Sequence, residues 1–244
     1  MHRVLIPPQV CQGPVLTIEH PKTLHHLLHV LRVHIGDQVA CCDGQGQTAM
    51  GTIRRCANTQ IEVAVDRWVK ESVPSIHVQL APALIKPERF EWMLEKATEL
   101  GVSRIHPLMT ARTTVPPSSS QSQIRVTRWR RIIEGAAMQC GRAILPVLEE
   151  PQPLAHVLPQ LRDGLLVILT LNTPGVSLDE LVPQPPKIQR CAMLIGPEGD
   201  FTSEEVQLAI AQGAKPVRLG QRILRSETAA IVTLALFQHG WGAL

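Results

Sequence analysis

Two short apolar runs near the C-terminal end of the chain are each followed by a glycine-bearing turn and then by a helix-like segment. The first turn is Gly196-Pro197-Glu198-Gly199, and the second begins at Leu219-Gly220 about twenty residues later. Glycine lets the backbone approach a ligand closely, and a helix N-terminus presents N–H groups without intrahelical partners. The pattern predicts two strand–turn–helix units whose turns share one ligand pocket.

From Ile76 onward, strand-like and helix-like segments alternate along the chain. The predicted strands are residues 76–80, 105–108, 165–171, 192–195 and 216–219. Helices are predicted at residues 87–100 and 126–140, from a capping box at 202–205 to about residue 213, and over an apolar run at 229–237. The run at 165–171 is apolar except for Thr170, as expected for a strand covered on both faces. Thr202 begins a capping box, and Ser226 is predicted to cap the last helix. Such alternation predicts an α/β domain with a mainly parallel sheet and a ligand site at the carboxyl ends of its strands.

The first seventy or so residues have a different pattern. Residues 21–32 carry leucines at helical spacing, and short β-like runs follow at 38–42, 47–53 and 60–65 with turn residues between them. Short strands separated by tight turns are typical of a small β-barrel. A linker is expected near Ser72, so the predicted domains are residues 1–72 and 73–244.

Composition excludes several classes of protein. Hydrophobic residues make up 44% of the 244 residues, but no apolar run reaches the roughly 20 residues of a membrane helix. The first residues lack the apolar core of a signal peptide, so a cytoplasmic protein is expected. The six cysteines form no Cys-x-x-Cys pair and are interpreted as free thiols. His25 and His29 have helical zinc-ligand spacing, but no nearby cysteine or carboxylate completes a site, so no metal is predicted.

The charge and the aromatic content restrict the ways in which a nucleic acid could bind. A net charge of +3 permits a local basic patch but not a surface that is cationic all over. Four Trp, three Phe and no Tyr are too few for a sheet that stacks several bases on aromatic side chains. RNA would therefore bind through phosphate contacts and shape. Four arginines begin the helix after the 116–122 loop, where cations oppose the helix dipole; they suit either an anionic partner or a solvated face. These are Arg125, Arg128, Arg130 and Arg131.

The two glycine turns lack the fingerprints of phosphate and dinucleotide sites. No Gly-Lys-Ser/Thr follows the first turn, and no Gly-x-Gly-x-x-Gly is present. Ile223 and Leu224 in the second turn suit an adenine ring, while Arg222 and Arg225 suit a nucleic-acid phosphate. Ordinary strand–helix turns with solvated arginines remain the alternative at this point.

Five segments, in order along essentially the whole chain, resemble motifs of one known family. They are His29-Val30-Leu31-Arg32 with Gly36-Asp37, Lys96-Ala97-Thr98-Glu99-Leu100-Gly101-Val102, Gln139-Cys140-Gly141-Arg142 with Pro146, Leu194-Ile195-Gly196-Pro197-Glu198-Gly199, and Leu219-Gly220-Gln221-Arg222-Ile223-Leu224-Arg225-Ser226-Glu227-Thr228-Ala229. By these motifs the chain resembles the RsmE family, the bacterial 16S rRNA uridine-N3 methyltransferases of the SPOUT superfamily. The resemblance implies an enzyme of rRNA processing and ribosome biogenesis.

The resemblance also implies an architecture and a set of partners. It implies a PUA-like RNA-binding β-barrel followed by a SPOUT methyltransferase domain with a deep trefoil knot, an exception to ordinary chain topology. The knot loops would hold S-adenosylmethionine in a bent shape. The family is homodimeric and acts on 16S rRNA of the small ribosomal subunit, which would explain the nearly all-apolar last helix.

Site residues follow from the resemblance by motif position. Those expected to line the S-adenosylmethionine pocket are Leu171, Gly196, Glu198, Gly199, Leu219, Gly220, Ile223, Leu224, Arg225, Thr228 and Ala229. Those expected to contact RNA are Arg3, Arg32, Lys86, Lys96, Arg112, Arg142 and Arg222.

The implied reaction places a methyl group on N3 of a uridine, an amide-like nitrogen that is a poor nucleophile until it loses its proton. Arg225 is the predicted catalytic residue, stabilising the anion that spreads to O2 and O4. Glu198 and Glu227 are expected to orient Arg225 or the cofactor. A SPOUT enzyme acting on a ribose 2′-hydroxyl and a non-catalytic RNA-binding assembly factor are the alternatives.

Four positions depart from the family pattern. Asp200 replaces the usual second glycine of the first turn, and aspartate tolerates left-handed backbone better than most residues. Ala111 and Met138 stand where glutamate is common, and Gln221 stands where proline is common.

Overall fold

The computed structural model describes residues 1–113, 119–171, 175–181 and 190–242. These residues divide into two compact units. One comprises Met1–Val73 with Glu134–Leu145, and the other comprises Pro74–Ile133 with Pro146–Leu244. The grouping of 134–145 with the first unit was not anticipated by a boundary between residues 72 and 73.

The first unit contains a five-stranded sheet. Its strands are β1 (His2–Leu5), β2 (Val15–Ile18), β3 (Gln38–Cys42), β4 (Gln47–Ala57) and β5 (Gln60–Lys70). They are ordered β1-β3-β4-β5-β2, with β1 parallel to β3 and the other pairs antiparallel. Buried side chains such as Leu16, Ile53 and Val63 alternate inward along the strands and form the core of this unit.

The structure departs from the sequence-based elements in three places in this unit. β1 and β2 were not predicted, because each is only four residues long. β4 continues beyond its predicted end to Ala57, and β5 continues beyond its predicted end to Lys70. The ladder between them pairs Ala57 with Gln60 and Gln47 with Lys70, although the side chains of residues 66–70 are exposed. The predicted helix at 21–32 consists of α1 (Pro21–His25) and a π-helical turn (His26–Val30), and Arg32 has a left-handed φ of 51°.

The second unit is built on a seven-stranded, wholly parallel sheet. The remaining strands of the chain are β6 (His77–Pro82), β7 (Arg104–Ile105), β8 (Leu108–Met109), β9 (Val147–Leu148), β10 (Gln152–Pro153), β11 (Leu165–Leu169), β12 (Val176–Ser177), β13 (Arg190–Ile195) and β14 (Lys215–Arg218). The large sheet has the order β12-β14-β11-β13-β6-β7-β9, and β8 pairs with β10 separately. The predicted strand at 105–108 is therefore two strands, because Pro107 has no N–H to continue the ladder.

Helices cover both faces of the large sheet. They are α2 (Pro87–Glu99), α3 (Ser119–Cys140), α4 (Leu154–Val157) with a 3-10 turn (Leu158–Leu161), α5 (Leu178–Leu181), α6 (Ser203–Ala211) and α7 (Ser226–Gly240). Val167 of β11 packs with Phe90 and Phe237 on one face, whereas Ile168 packs with Phe201 on the other. All five residues of β11 are buried, which confirms a strand covered on both sides, although it ends at Leu169 and Leu171, within the predicted range, is exposed.

The two predicted helix caps have different outcomes. Thr202 accepts a hydrogen bond from the Glu205 N–H, and the Glu205 carboxylate accepts one from the Thr202 N–H, so the predicted capping box is confirmed. The prediction for Ser226 was wrong. Arg225 is the N-cap of α7 and makes no side-chain cap hydrogen bond, because the helix already includes Ser226. Within the described residues, no helix is long and apolar enough to cross a membrane.

Candidate active site

The two glycine turns meet in one pocket at the carboxyl ends of three adjacent parallel strands, β14, β11 and β13. The pocket offers about 240 Å³ of space and is lined by Leu169–Leu171, by residues between Ile195 and Asp200, and by residues between Val217 and Ala229. Ends of neighbouring parallel strands are the common ligand position in open α/β sheets. The prediction that the turns share one pocket is thus met by the geometry.

The structure brings most of the predicted cofactor residues together. Those that line the pocket are Leu171, Gly196, Glu198, Leu219, Gly220, Ile223, Leu224, Arg225 and Ala229. Gly199 and Thr228 are not in the pocket wall, contrary to expectation. The Gly199 carbonyl accepts a hydrogen bond from the Arg112 guanidinium at 2.5 Å, so this glycine faces Arg112. Thr228 precedes Ala229 by one residue on α7, which turns its side chain about 100° away from the Ala229 direction.

Glycine suits positions 196 and 220 for different reasons. A Cβ at Gly196 would lie 3.2 Å from the backbone nitrogen of Phe201 and 3.1 Å from the Asp200 carboxylate. Gly220 has a φ of +80°, a left-handed conformation that other residues adopt only with strain. The first glycine therefore permits a tight turn, and the second permits the chain to reverse direction after β14.

Hydrogen bonds to the Asp200 side chain join the first turn to the loop after β11. Its φ of 62° is left-handed, as its position in place of a glycine predicts. Its Oδ2 accepts hydrogen bonds from the Thr170 hydroxyl at 3.1 Å and from the Leu171 N–H at 3.0 Å, and its Oδ1 accepts one from the Phe201 N–H. The departure from the family pattern is thus accommodated in the backbone and adds contacts between two walls of the pocket.

Positive and negative side chains occupy different parts of the pocket. Arg218 at the end of β14 and Arg222 and Arg225 in the second turn line the pocket and are exposed, whereas Glu198 in the first turn and Asp200 directly after it line the other side. Arg225 forms no ion pair with any residue that the structure describes. Its guanidinium is therefore available to a ligand in or above the pocket.

Glu198 and Glu227 both face Arg89 of α2. The Glu198 Oε1 lies 3.7 Å from the Arg89 Nη1, and the Glu227 Oε1 lies 3.7 Å from the Arg89 Nε. No contact of either carboxylate with Arg225 is found among the described residues. These glutamates were expected to orient either Arg225 or the cofactor. The contacts do not support orientation of Arg225.

The predicted RNA-contact residues lie in both units. In the first unit, the Arg3 guanidinium lies against Gly141, burial lowers the pKa of Arg142, and Arg32 is exposed. In the second unit, Lys86 is exposed, and Arg112 and Arg222 are exposed beside or in the pocket wall. The ammonium of Lys96 is bound by the carboxylates of Glu95 and Glu99, which raise its pKa. Its charge is thus already compensated within the chain.

The arginine cluster of α3 is half neutralised. Arg128 pairs with Glu91 and Arg130 pairs with Glu150, whereas Arg125 and Arg131 have no ion pair with a described residue. The solvated-face interpretation accounts for the two paired arginines. Elsewhere, the rings of His25 and His29 lie 4.9 Å apart, but no group of metal-ligand side chains is found among the described residues.

Sequence reasoning missed Arg89, Arg218 and Thr170. Arg218 is the last residue of β14, directly before the second glycine turn, so its position at a strand end was a usable signal. Arg89 and Thr170 carry no local signal. Arg89 lies more than 100 residues before Glu198, and only the folded chain brings the two together.

Comparison with family models identifies both parts of the chain. A model described as the RNA methyltransferase domain matches residues 71–238, and one described as the RNA methyltransferase PUA domain matches residues 21–64. The chain belongs to the RNA methyltransferase family. The predicted fold class, an α/β methyltransferase domain with a small N-terminal PUA-like β-domain, is confirmed. The trefoil knot stays a prediction.

Individual relatives are similar over nearly the whole chain. The ribosomal RNA small subunit methyltransferase E of Synechocystis is 33% identical over 96% of this chain and 76% of its own length, and that of Bacillus subtilis is 27% identical over 95% and 92%. A methyltransferase from Legionella pneumophila, solved with bound SAM, has a TM-score of 0.88 at 32% identity and covers 97% of this chain and 96% of its own. The Neisseria gonorrhoeae methyltransferase E, solved with S-adenosyl methionine, has a TM-score of 0.87 at 26% identity over 99% and 98%. The resemblance to the RsmE family is confirmed.

Proposed function

We propose that this protein transfers the methyl group of S-adenosylmethionine to N3 of a uridine in 16S rRNA of the small ribosomal subunit. The observation that carries this proposal is the pocket formed jointly by the two glycine turns at the ends of β14, β11 and β13. Two solved relatives, which this chain matches over 96% or more of their length, were solved with S-adenosylmethionine. The curated relatives carry the name of a small-subunit rRNA methyltransferase.

The side chains in the pocket fit S-adenosylmethionine. Leu171, Leu219 and Leu224 offer apolar surface for an adenine ring, and the adjoining backbone offers hydrogen-bonding groups. The Ile223 side chain is 78% exposed, and a bound ring would remove that apolar surface from water. The Glu198 carboxylate favours a cationic ligand such as a sulfonium or an amino group. When bound, S-adenosylmethionine supplies a methyl group on a positively charged sulfur.

Arg225 is the residue best placed for the chemistry. The uridine N3 must lose its proton before its lone pair can form a bond to carbon, and the charge then spreads to O2 and O4. A guanidinium without an internal partner stabilises such an anion directly. The pocket walls supply the second contribution, since alignment of the reacting atoms accounts for a large part of many enzymatic rates.

RNA is proposed to approach the pocket from the side of the arginine-bearing second turn. Arg222 lies in the pocket wall, and Arg112 binds the first turn through the Gly199 carbonyl. The proposed phosphate contacts on this unit are Arg222, Arg112 and Lys86. Those on the PUA-like unit are Arg3, Arg32 and Arg142. Lys96 remains a candidate from motif position, although two glutamates already bind it.

The proposal includes a homodimer, a knotted methyltransferase domain and a cytoplasmic location. The last helix, α7, supports the dimer, since Leu236 is 44% exposed on a helix that is apolar nearly all round. The match of residues 21–64 to the PUA domain of RNA methyltransferases supports RNA binding by the PUA-like unit.

Two experiments separate this function from its alternatives. Titration calorimetry of the purified protein with S-adenosylmethionine should give saturable binding, whereas the absence of binding would favour a non-catalytic assembly factor. Mass spectrometry of rRNA nucleosides from a deletion strain should show the loss of 3-methyluridine. Loss of a 2′-O-methylated nucleoside instead would favour an enzyme acting on ribose.

A further inference from the structure

Arg89 connects the two glycine turns although it lies outside both. It is in the first turn of α2, and its guanidinium lies within 3.7 Å of one oxygen of Glu198 and 3.7 Å of one oxygen of Glu227. Glu198 is part of the pocket wall on the first turn, and Glu227 is in the first turn of α7, directly after the second glycine turn. One cation thus lies between the two carboxylates at the two sides of the site.

The Glu227 carboxylate is buried beside this cation. Its side chain is 9% exposed, and its Oε2 is buried with no hydrogen-bond partner among the described residues. An ionised carboxylate that leaves water without a partner is strongly disfavoured, so a nearby guanidinium compensates a real cost. Both distances from the Arg89 guanidinium to a carboxylate oxygen, 3.7 Å, exceed a hydrogen-bond length. Arg89 therefore interacts with both carboxylates through its charge and does not form a bidentate pair with either one.

We infer that Arg89 is a positioning residue of the S-adenosylmethionine site, which acts through Glu198. It holds the Glu198 carboxylate at the pocket wall and balances the charge of Glu227, so that the two turns keep their spacing. This inference rests on the proposed function, because S-adenosylmethionine is the ligand whose affinity reports it. Lysine can supply the charge at this position but not a planar group that spans two carboxylates, so Arg89→Lys should restore part of the effect.

The test is a double-mutant cycle on S-adenosylmethionine affinity, measured by calorimetry. Arg89→Met should weaken binding about tenfold, which corresponds to about 1.4 kcal/mol. Glu198→Gln should weaken it by a similar factor or more, and the double variant should bind no worse than Glu198→Gln alone, because Arg89 acts on the ligand through Glu198. Arg89→Lys should bind more tightly than Arg89→Met.

Controls separate positioning from general support of the fold. Arg190→Met breaks an arginine–carboxylate pair with Asp163 that is more exposed and lies at the far end of β13, and it should leave the affinity unchanged. If Arg89→Met unfolds, the same change is made together with Glu227→Gln, which removes the buried charge, and the loss of affinity through Glu198 should persist.

The outcomes are distinct for the two proposals. If the wild-type protein fails to bind S-adenosylmethionine, the proposed function is wrong and this inference fails with it. If the wild-type protein binds and a folded Arg89→Met variant binds equally well, the inference alone is wrong. Losses that multiply in the Arg89→Met/Glu198→Gln variant would also overturn it, because the two residues would then act independently.

Discussion

The carboxylate of Asp200 accepts a hydrogen bond from the backbone N–H of Leu171, with the Asp200 Oδ2 3.0 Å from the nitrogen. This bond joins the turn after β13 to the loop after β11, and both line the pocket. The same oxygen also accepts a hydrogen bond from Thr170. The Asp200 side chain thus joins two walls of the site through hydrogen bonds.

Asp200→Ala should destabilise the protein and weaken S-adenosylmethionine binding. The change removes the charged acceptor for Leu171 and Thr170 and places alanine at a φ of 62°. We expect the free energy of unfolding to fall by about 3 kcal/mol. Asp200→Gly tolerates the backbone and should lose about 1 kcal/mol less, as measured by urea denaturation. Equal losses in the two variants would show that the left-handed backbone carries no cost.

Gly196→Ala should move the first turn and weaken ligand binding. The new methyl group would lie 3.2 Å from the Phe201 nitrogen and 3.1 Å from the Asp200 carboxylate, and Phe201 is fully buried. Calorimetry should show a severalfold loss of S-adenosylmethionine affinity. Gly135→Ala is the matched control, since nothing lies within 4 Å of its Cβ position in α3. It should raise stability by about 0.5–1 kcal/mol and leave affinity unchanged.

Arg225→Ala should abolish most of the methyl transfer while leaving the fold intact. The side chain is exposed and forms no ion pair with a described residue, so its removal has little effect on unfolding. Loss of an oxyanion-stabilising group costs about 100-fold or more in turnover. Initial rates with small-subunit rRNA, together with circular dichroism and gel filtration, test this. Turnover like that of the wild type in a folded Arg225→Ala variant would remove the catalytic assignment.

His106 should make the protein less stable in acid. The side chain is buried and within 2.8 Å of the Gln79 amide oxygen, and burial lowers its pKa from 6.5 to about 4. Between these values the unfolded chain takes up a proton that the folded chain does not, so stability is lost as the pH falls from 6.5 towards 4, by at most about 3 kcal/mol. Urea denaturation at pH 7, 5.5 and 4.5 measures the loss. His106→Asn cannot titrate and should show a shallower pH dependence; identical slopes would assign the acid sensitivity to other groups.

The parallel sheet could be predicted because its central strands are buried on both faces. Residues 165–169 and 191–195 are therefore continuous apolar runs, and the first glycine turn follows the second of these runs directly. The capping box at Thr202 was equally readable, since all its atoms belong to four consecutive residues. Features that depend on neighbours in sequence are thus recoverable from the sequence.

Features that depend on distant parts of the chain were not recoverable. β7 and β8 have only two residues each, too few for a periodic pattern, and Pro107 between them gave the only indication of a break. The Arg89 contacts with Glu198 and Glu227 join residues more than 100 positions apart. The hydrogen bond from Arg112 to the Gly199 carbonyl also joins residues 87 positions apart, and the motif around Gly199 gave no sign of it.

Nucleoside mass spectrometry after reaction in vitro tests the central claim most directly. The purified protein is incubated with S-adenosylmethionine carrying an isotopically labelled methyl group and with small ribosomal subunits from a strain that lacks this enzyme. The rRNA is then digested to nucleosides, with the Arg225→Ala variant as a parallel sample. The account predicts labelled 3-methyluridine with the wild-type protein and little or none with the variant. Label on a ribose 2′-oxygen, or no label in rRNA at all, would contradict it.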